Sequence, residues 1–139
     1  MMNVERKKRL KEAVKTTISR YLESTEDEHM IYGEQAALTW LQNISEKDDL
    51  QSLIFQIKVT GFLSIKHYLG EYFKSVEGME NYGARYEQII NEWSLICLVL
   101  FQMNLKRKYT KLEYVKSRGA ELLAMERRML LEICNGGIL

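Results

Sequence analysis

The sequence predicts an all-helical domain, and three observations carry that prediction. Its 139 residues include no proline, the residue that most reliably interrupts a helix. Turn-forming clusters fall in only a few places, which leaves room for five long helices. Apolar residues recur at three- and four-residue steps, and no alternating strand pattern or internal repeat competes with them.

The first helix is expected from about Val4 to Glu23, with Leu10, Val14, Ile18 and Leu22 on one face. Thr25-Glu26-Asp27-Glu28 has the form of a capping box, in which a hydroxyl and a carboxylate satisfy the free amides at a helix start. The second helix follows it and carries Met30, Ala37, Trp40, Leu41 and Ile44. Ser45-Glu46-Lys47-Asp48 repeats the device more weakly and opens a third helix that runs to about Val76. There Ile54, Ile57, Gly61, Ile65, Tyr68 and Tyr72 form an apolar stripe, while Lys58, Lys66, Glu71 and Lys74 lie mostly away from it. Gly61 is the informative member, because a mid-helix glycine costs about 1 kcal/mol relative to alanine and so marks a place where a crossing helix or a ligand approaches the backbone.

Gly78 and Gly83 bracket the next loop. The fourth helix, from about Ala84 to Lys108, starts with the stripe Tyr86, Ile89, Ile90 and Trp93 and becomes apolar on nearly every side from Leu95 to Phe101. Such a helix is buried all round or shared between subunits. Thr110-Lys111-Leu112-Glu113 reads as a capping box for the fifth helix, which stops at Asn135-Gly136-Gly137. Leu112, Val115, Gly119, Leu122, Met129 and Ile133 can face inward there, but Leu123, Met125, Leu130 and Leu131 leave apolar surface elsewhere. Helices four and five therefore read as a hairpin whose outer face pairs with a second copy, in a four-helix contact at Leu95, Val99, Met103, Leu123 and Leu130.

A composition 46% hydrophobic and 28% charged is that of one ordinary globular domain over residues 1–139. The formal net charge of +1 argues against a dedicated nucleic-acid binder. Charge is uneven, however. The runs Glu5 to Lys11 and Leu105 to Lys111 are basic, and Glu23 to Glu28 and Glu46 to Asp49 offset them. The basic runs read as solvated helix ends, with phosphate binding as the alternative. Cys97 and Cys134 are the only cysteines; on adjacent antiparallel helices they stand about 13 residues, or roughly 20 Å, apart, too far to bridge. Two reduced thiols and no signal-peptide pattern point to the cytoplasm. Trp93 to Leu105 is the most apolar run, but it falls short of the roughly 20 residues that span a bilayer.

No catalytic constellation accompanies His29 and His67, the only histidines: there is no zinc-protease helix, cysteine pair, phosphate-binding loop or triad, so neither an enzyme nor a metal site is expected. His67 reads as a surface or pocket-edge imidazole. Tyr68, Tyr72, Tyr82 and Tyr86 cluster at the junction of helices three and four, either as a half-buried rim or as the polar end of an apolar cavity. In the second reading an acyl chain lies against Ile57, Gly61, Ile65, Leu69, Ile96 and Leu100. Its carboxylate then needs a donor among Lys66, His67, Tyr68 and Arg85.

The run VTGFLSIKHYLGEYF, Val59 to Phe73, contains V-x-G-x-x-S followed by aromatic and apolar residues. It resembles the central helix of haem-less globin sensor domains, which stand at the N-terminus of stressosome proteins and precede some sporulation sensor histidine kinases of spore-forming bacilli. The ending ERRMLLEICNGGIL, Glu126 to Leu139, resembles the helix by which such sensors run into an output domain. Helix number and lengths are similar across almost the whole chain. The resemblance implies a globin-like fold without haem, a homodimer, and a pocket holding a fatty-acid-like molecule and an anion such as chloride. The absence of a histidine from the fifth helix and from the Gly78 to Gly83 loop fits a globin that holds no haem.

Because this chain stops at Leu139, the resemblance is closest to free-standing sensor proteins that inhibit sporulation. The expected activity is modulation of a sensor kinase by taking up its signal, a mass-action effect, or by forming mixed dimers with it. A small helical nucleic-acid-binding regulator using Arg6 to Lys11 and Lys106 to Lys111 is the alternative.

Overall fold

The computed structural model describes residues 3–23, 34–45, 49–51, 54, 57, 62–137 and 139, without the side chains of 35 and 36. Among them are five helices and no strand: α1 Val4–Glu23, α2 Glu34–Asn43, α3 Phe62–Ser75, α4 Glu80–Lys106 and α5 Leu112–Asn135. The all-helical class is as expected. Thr25 to Glu28, His29, Met30, Glu46 to Asp48, Lys58 to Thr60 and Gly61 lie outside the described residues.

The Asn3 side chain accepts the Arg6 amide at 2.8 Å at the start of α1, a satisfied N-cap. The helix then buries Val14, Ile18 and Tyr21. Tyr21, not Leu22, completes the inward face. In α2 the expected Ala37 and Leu41 are buried and Trp40 is half-buried. Ile44, just past its end, is buried as well.

The buried stripe of α3 differs from expectation. Phe62, Lys66, Leu69 and Phe73 face the core, while Tyr68 is exposed and Ile65 and Tyr72 are half-buried. The face is rotated by one residue, about 100°, from the one projected from Ile54 and Ile57. Lys66 thus sits inside the stripe, not away from it.

The loop after α3 is shorter than expected. It covers Val76 to Met79, and Gly78 adopts φ +89°, a left-handed conformation that favours glycine. Gly83 instead lies buried inside α4. A Cβ placed there would stand 2.9 Å from the Lys74 backbone nitrogen and 3.1 Å from the Gly70 carbonyl oxygen. Close helix approach therefore occurs between Gly70 and Gly83.

α4 ends at Arg107, which turns the chain with φ 50°. The capping box expected at Thr110 does not form. α5 is preceded by Lys111, no side chain caps it, and Glu113 pairs with Lys116 at 3.9 Å. The core joins all five helices through Tyr21, Leu41, Phe62, Trp93, Leu122 and their neighbours. Phe62 meets Trp93 edge-on at 4.9 Å, and Trp40 meets both rings at 6.3 Å. No described helix is long and apolar enough to cross a membrane.

Candidate functional site

The residues expected to line one ligand pocket divide between the core and the surface. Ile57, Leu69, Ile96 and Leu100 are fully buried members of the core, packed among other side chains. Ile65 is half-buried, while His67 and Tyr68 are exposed on the outer side of α3. His67 borders a shallow depression of about 240 Å³ with Glu71, Lys74 and Glu87. Arg85 stands on α4 beside α5. Gly61 lies outside the described residues.

The expected contact with a second copy also changes. Leu95 is exposed and Val99 half-buried, but Met103, Leu123 and Leu130 belong to the core of the single chain and have no surface to offer. Every third or fourth residue of α4 supplies the exposed apolar face instead: Leu95 is 56% accessible, Leu98 51%, Phe101 46% and Leu105 67%. The all-round apolar stretch is thus divided, with Ile96, Cys97, Leu100 and Met103 turned inward. Cys97 is buried, Cys134 is exposed, and no disulfide joins them.

Lys66 is the residue whose surroundings the sequence conceals. Its Nζ is 2.8 Å from Glu126 Oε1, and neither side chain reaches solvent. The Tyr21 hydroxyl donates a short hydrogen bond to the same Glu126 oxygen. Lys66 Nζ is 3.4 Å from that hydroxyl and 3.9 Å from the centre of the Phe62 ring, so a cation–π contact adds to the ion pair. Burial lowers the Lys66 pKa, and Glu126 opposes the shift. Burial, reinforced by the Glu126 charge, raises the Tyr21 and Tyr86 hydroxyls well above their ordinary range. Tyr86 Oη and Glu126 Oε2 are buried without a hydrogen-bond partner among the described residues. On the next residue of α5, Arg127 ties down Glu34 of α2 at 2.6 Å.

This junction occupies the one expected carboxylate receptor that faces the core. Lys66 already holds a carboxylate, and that carboxylate belongs to the chain.

A second arrangement lies between α4 and α5. Arg85, Gln88 and Ile89 form one wall of a groove of about 420 Å³, and Met125, Arg128, Met129 and Glu132 form the other. Ile89 and Met129 are buried and Met125 half-buried, which makes the floor apolar. The rim carries two guanidinium groups. Arg85 reaches Glu132 only at 3.8 Å and lies over the Tyr82 ring at 5.5 Å, while Arg128 has no acidic partner among the described residues. An apolar floor beneath a loosely paired Arg85 and an Arg128 without an acidic partner among the described residues can hold an anion with a hydrocarbon body, although the Glu132 carboxylate shares the rim. Only Arg85 of this groove was legible as a candidate; the pairing of Met125 and Met129 with it needs the helix register.

Among the described residues no group of three or more histidine, cysteine, aspartate or glutamate side chains is placed to hold a metal ion. No family model, no curated protein and no solved structure matches the chain.

Proposed function

We propose that the chain is a non-enzymatic, globin-like regulatory domain without haem that holds a small anionic amphiphile of the fatty-acid kind. It works in the cytoplasm as a homodimer and modulates a sporulation sensor histidine kinase by taking up its signal. The groove between α4 and α5 carries the ligand part of this reading. Its volume of about 420 Å³ lies in the range of small-molecule sites. A carboxylate would meet Arg85 and Arg128, and the hydrocarbon would cover Ile89, Met125 and Met129. The burial of Leu69, Ile96 and Leu100 among core side chains favours this place over the central pocket expected from the resemblance.

The link to a kinase rests on the likeness of Val59 to Phe73 and Glu126 to Leu139 to such sensors. A bound anion such as chloride would fall on the same two guanidinium groups. Native mass spectrometry of freshly purified protein, followed by organic extraction, tests the ligand assignment. A co-purified fatty acid, lost in an Arg85→Ala/Arg128→Ala variant of unchanged melting temperature, is the expected result. A chain that carries no acyl ligand and takes none up on incubation with palmitate would overturn it.

A further inference from the structure

The α4–α5 turn concentrates basic charge at the C-terminal end of α4. Lys106, Arg107, Lys108 and Lys111 are all exposed, and none has an acidic partner among the described residues. The nearest carboxylate along the chain, Glu113, is paired with Lys116. From Leu105 to Lys111 every residue is exposed except the half-buried Tyr109. Leu105 is the most exposed apolar side chain of α4, and Tyr114 opens α5 half uncovered.

We infer that this turn is an attachment site for an anionic lipid surface, with Lys106, Arg107, Lys108 and Lys111 on the headgroups and Leu105 and Tyr114 entering the interface. Three occupants share the required negative charge: a folded acidic protein, a nucleic acid and a bilayer. A folded acidic partner would need a matching rigid surface, whereas the turn is a knob of long, unpaired side chains. Phosphates of a nucleic acid would satisfy the four cations but leave Leu105 in water. A bilayer serves both, because basic residues sit at the headgroup level while leucine and tyrosine bury their apolar parts beneath it. The helices need not enter the membrane core.

Co-sedimentation with vesicles of phosphatidylcholine, with or without a third of phosphatidylglycerol, tests the inference. The chain should bind only the anionic vesicles and release them at high salt. Each basic side chain near such a surface is worth about fivefold in partition, so Lys106→Glu/Arg107→Glu/Lys108→Glu should weaken binding by at least a hundredfold or so. Leu105→Ser should weaken binding without altering its salt dependence. All variants should keep the wild-type melting temperature and groove-ligand binding, which separates this site from the groove. Equal binding by wild type and charge-reversed variant would overturn the inference. So would tighter binding to duplex DNA than to vesicles with no effect of Leu105→Ser, which would assign the turn to nucleic acid.

Discussion

The Lys66 ammonium and the Glu126 carboxylate lie 2.8 Å apart with no solvent contact, and they tie α3 to α5 through the centre of the bundle. A buried pair of this kind adds little net stability, because desolvating two charges consumes most of their attraction. Removing one partner is a different matter. Glu126→Ala or Lys66→Met should destabilise the fold by about 3–5 kcal/mol, since the remaining charge stays buried alone. The combined Tyr21→Phe/Lys66→Met/Glu126→Leu variant should recover most of that loss. Urea unfolding of the set decides the matter, and single substitutions costing less than about 1 kcal/mol would count against a dry, closed junction.

The same junction sets the alkaline behaviour. Tyr21 and Tyr86 have folded pKa values raised well above the ordinary 10.0. Their contribution is complete below that value and is lost as pH climbs through it toward the folded pKa. Lys66 runs the other way: its folded pKa is lowered, so its cost is present when both states are protonated and fades as pH rises toward 10.5. Loss of the two tyrosines should dominate above pH 10, where the Lys66 gain has largely been realised. In a spectrophotometric titration two of the eight tyrosines should ionise only as the chain unfolds. Tyr21→Phe/Tyr86→Phe should abolish that late phase; its persistence would show that other phenols are the buried ones.

How far the sequence reveals this arrangement follows from helix phase. The all-helical class and the α1 boundaries were legible from spacing alone, because apolar periodicity averages over many residues. Register within α3 was not. Extrapolating from Ile54 and Ile57 placed Ile65 and Tyr68 inward, whereas Phe62, Leu69 and Phe73 carry the buried face. One residue of phase moved Lys66 from the surface to the core. A signal was present: Lys66 interrupts an apolar stripe on α3, and Glu126 interrupts another between Leu122 and Ile133 on α5. Opposite charges that each break an apolar stripe are candidates for a mutual buried pair.

Close approach at a glycine has a described instance at Gly83, while Gly61 lies outside the described residues. At Gly83 a Cβ would meet the Lys74 side chain and also the backbone of Lys74 and Gly70, which cannot swing aside. Gly83→Ala should therefore force α3 and α4 apart and cost about 1–3 kcal/mol. Gly137→Ala, in open space but at φ +65°, should cost about 1–2 kcal/mol through local strain alone. Thermal unfolding with hydrogen exchange separates them. Only Gly83→Ala should weaken protection along both α3 and α4, and equal, local effects would remove the case for close packing at Gly83.

The apolar surface that α4 and α5 leave open to a second copy is narrower than the two helices as a whole. Leu95, Leu98 and Phe101 recur at three-residue steps on α4, and all three are exposed. That spacing lets the face pack against a copy of itself at a small crossing angle. Leu98→Glu/Phe101→Glu should convert a dimer to a monomer in sedimentation experiments while changing unfolding free energy by no more than about 0.5 kcal/mol per site. Leu123→Ala and Leu130→Ala should do the reverse, costing about 2–5 kcal/mol as core truncations and leaving association intact wherever the chain stays folded. A wild-type chain that remains monomeric at high concentration would sink the homodimer and leave the α4 face without a second copy as its partner.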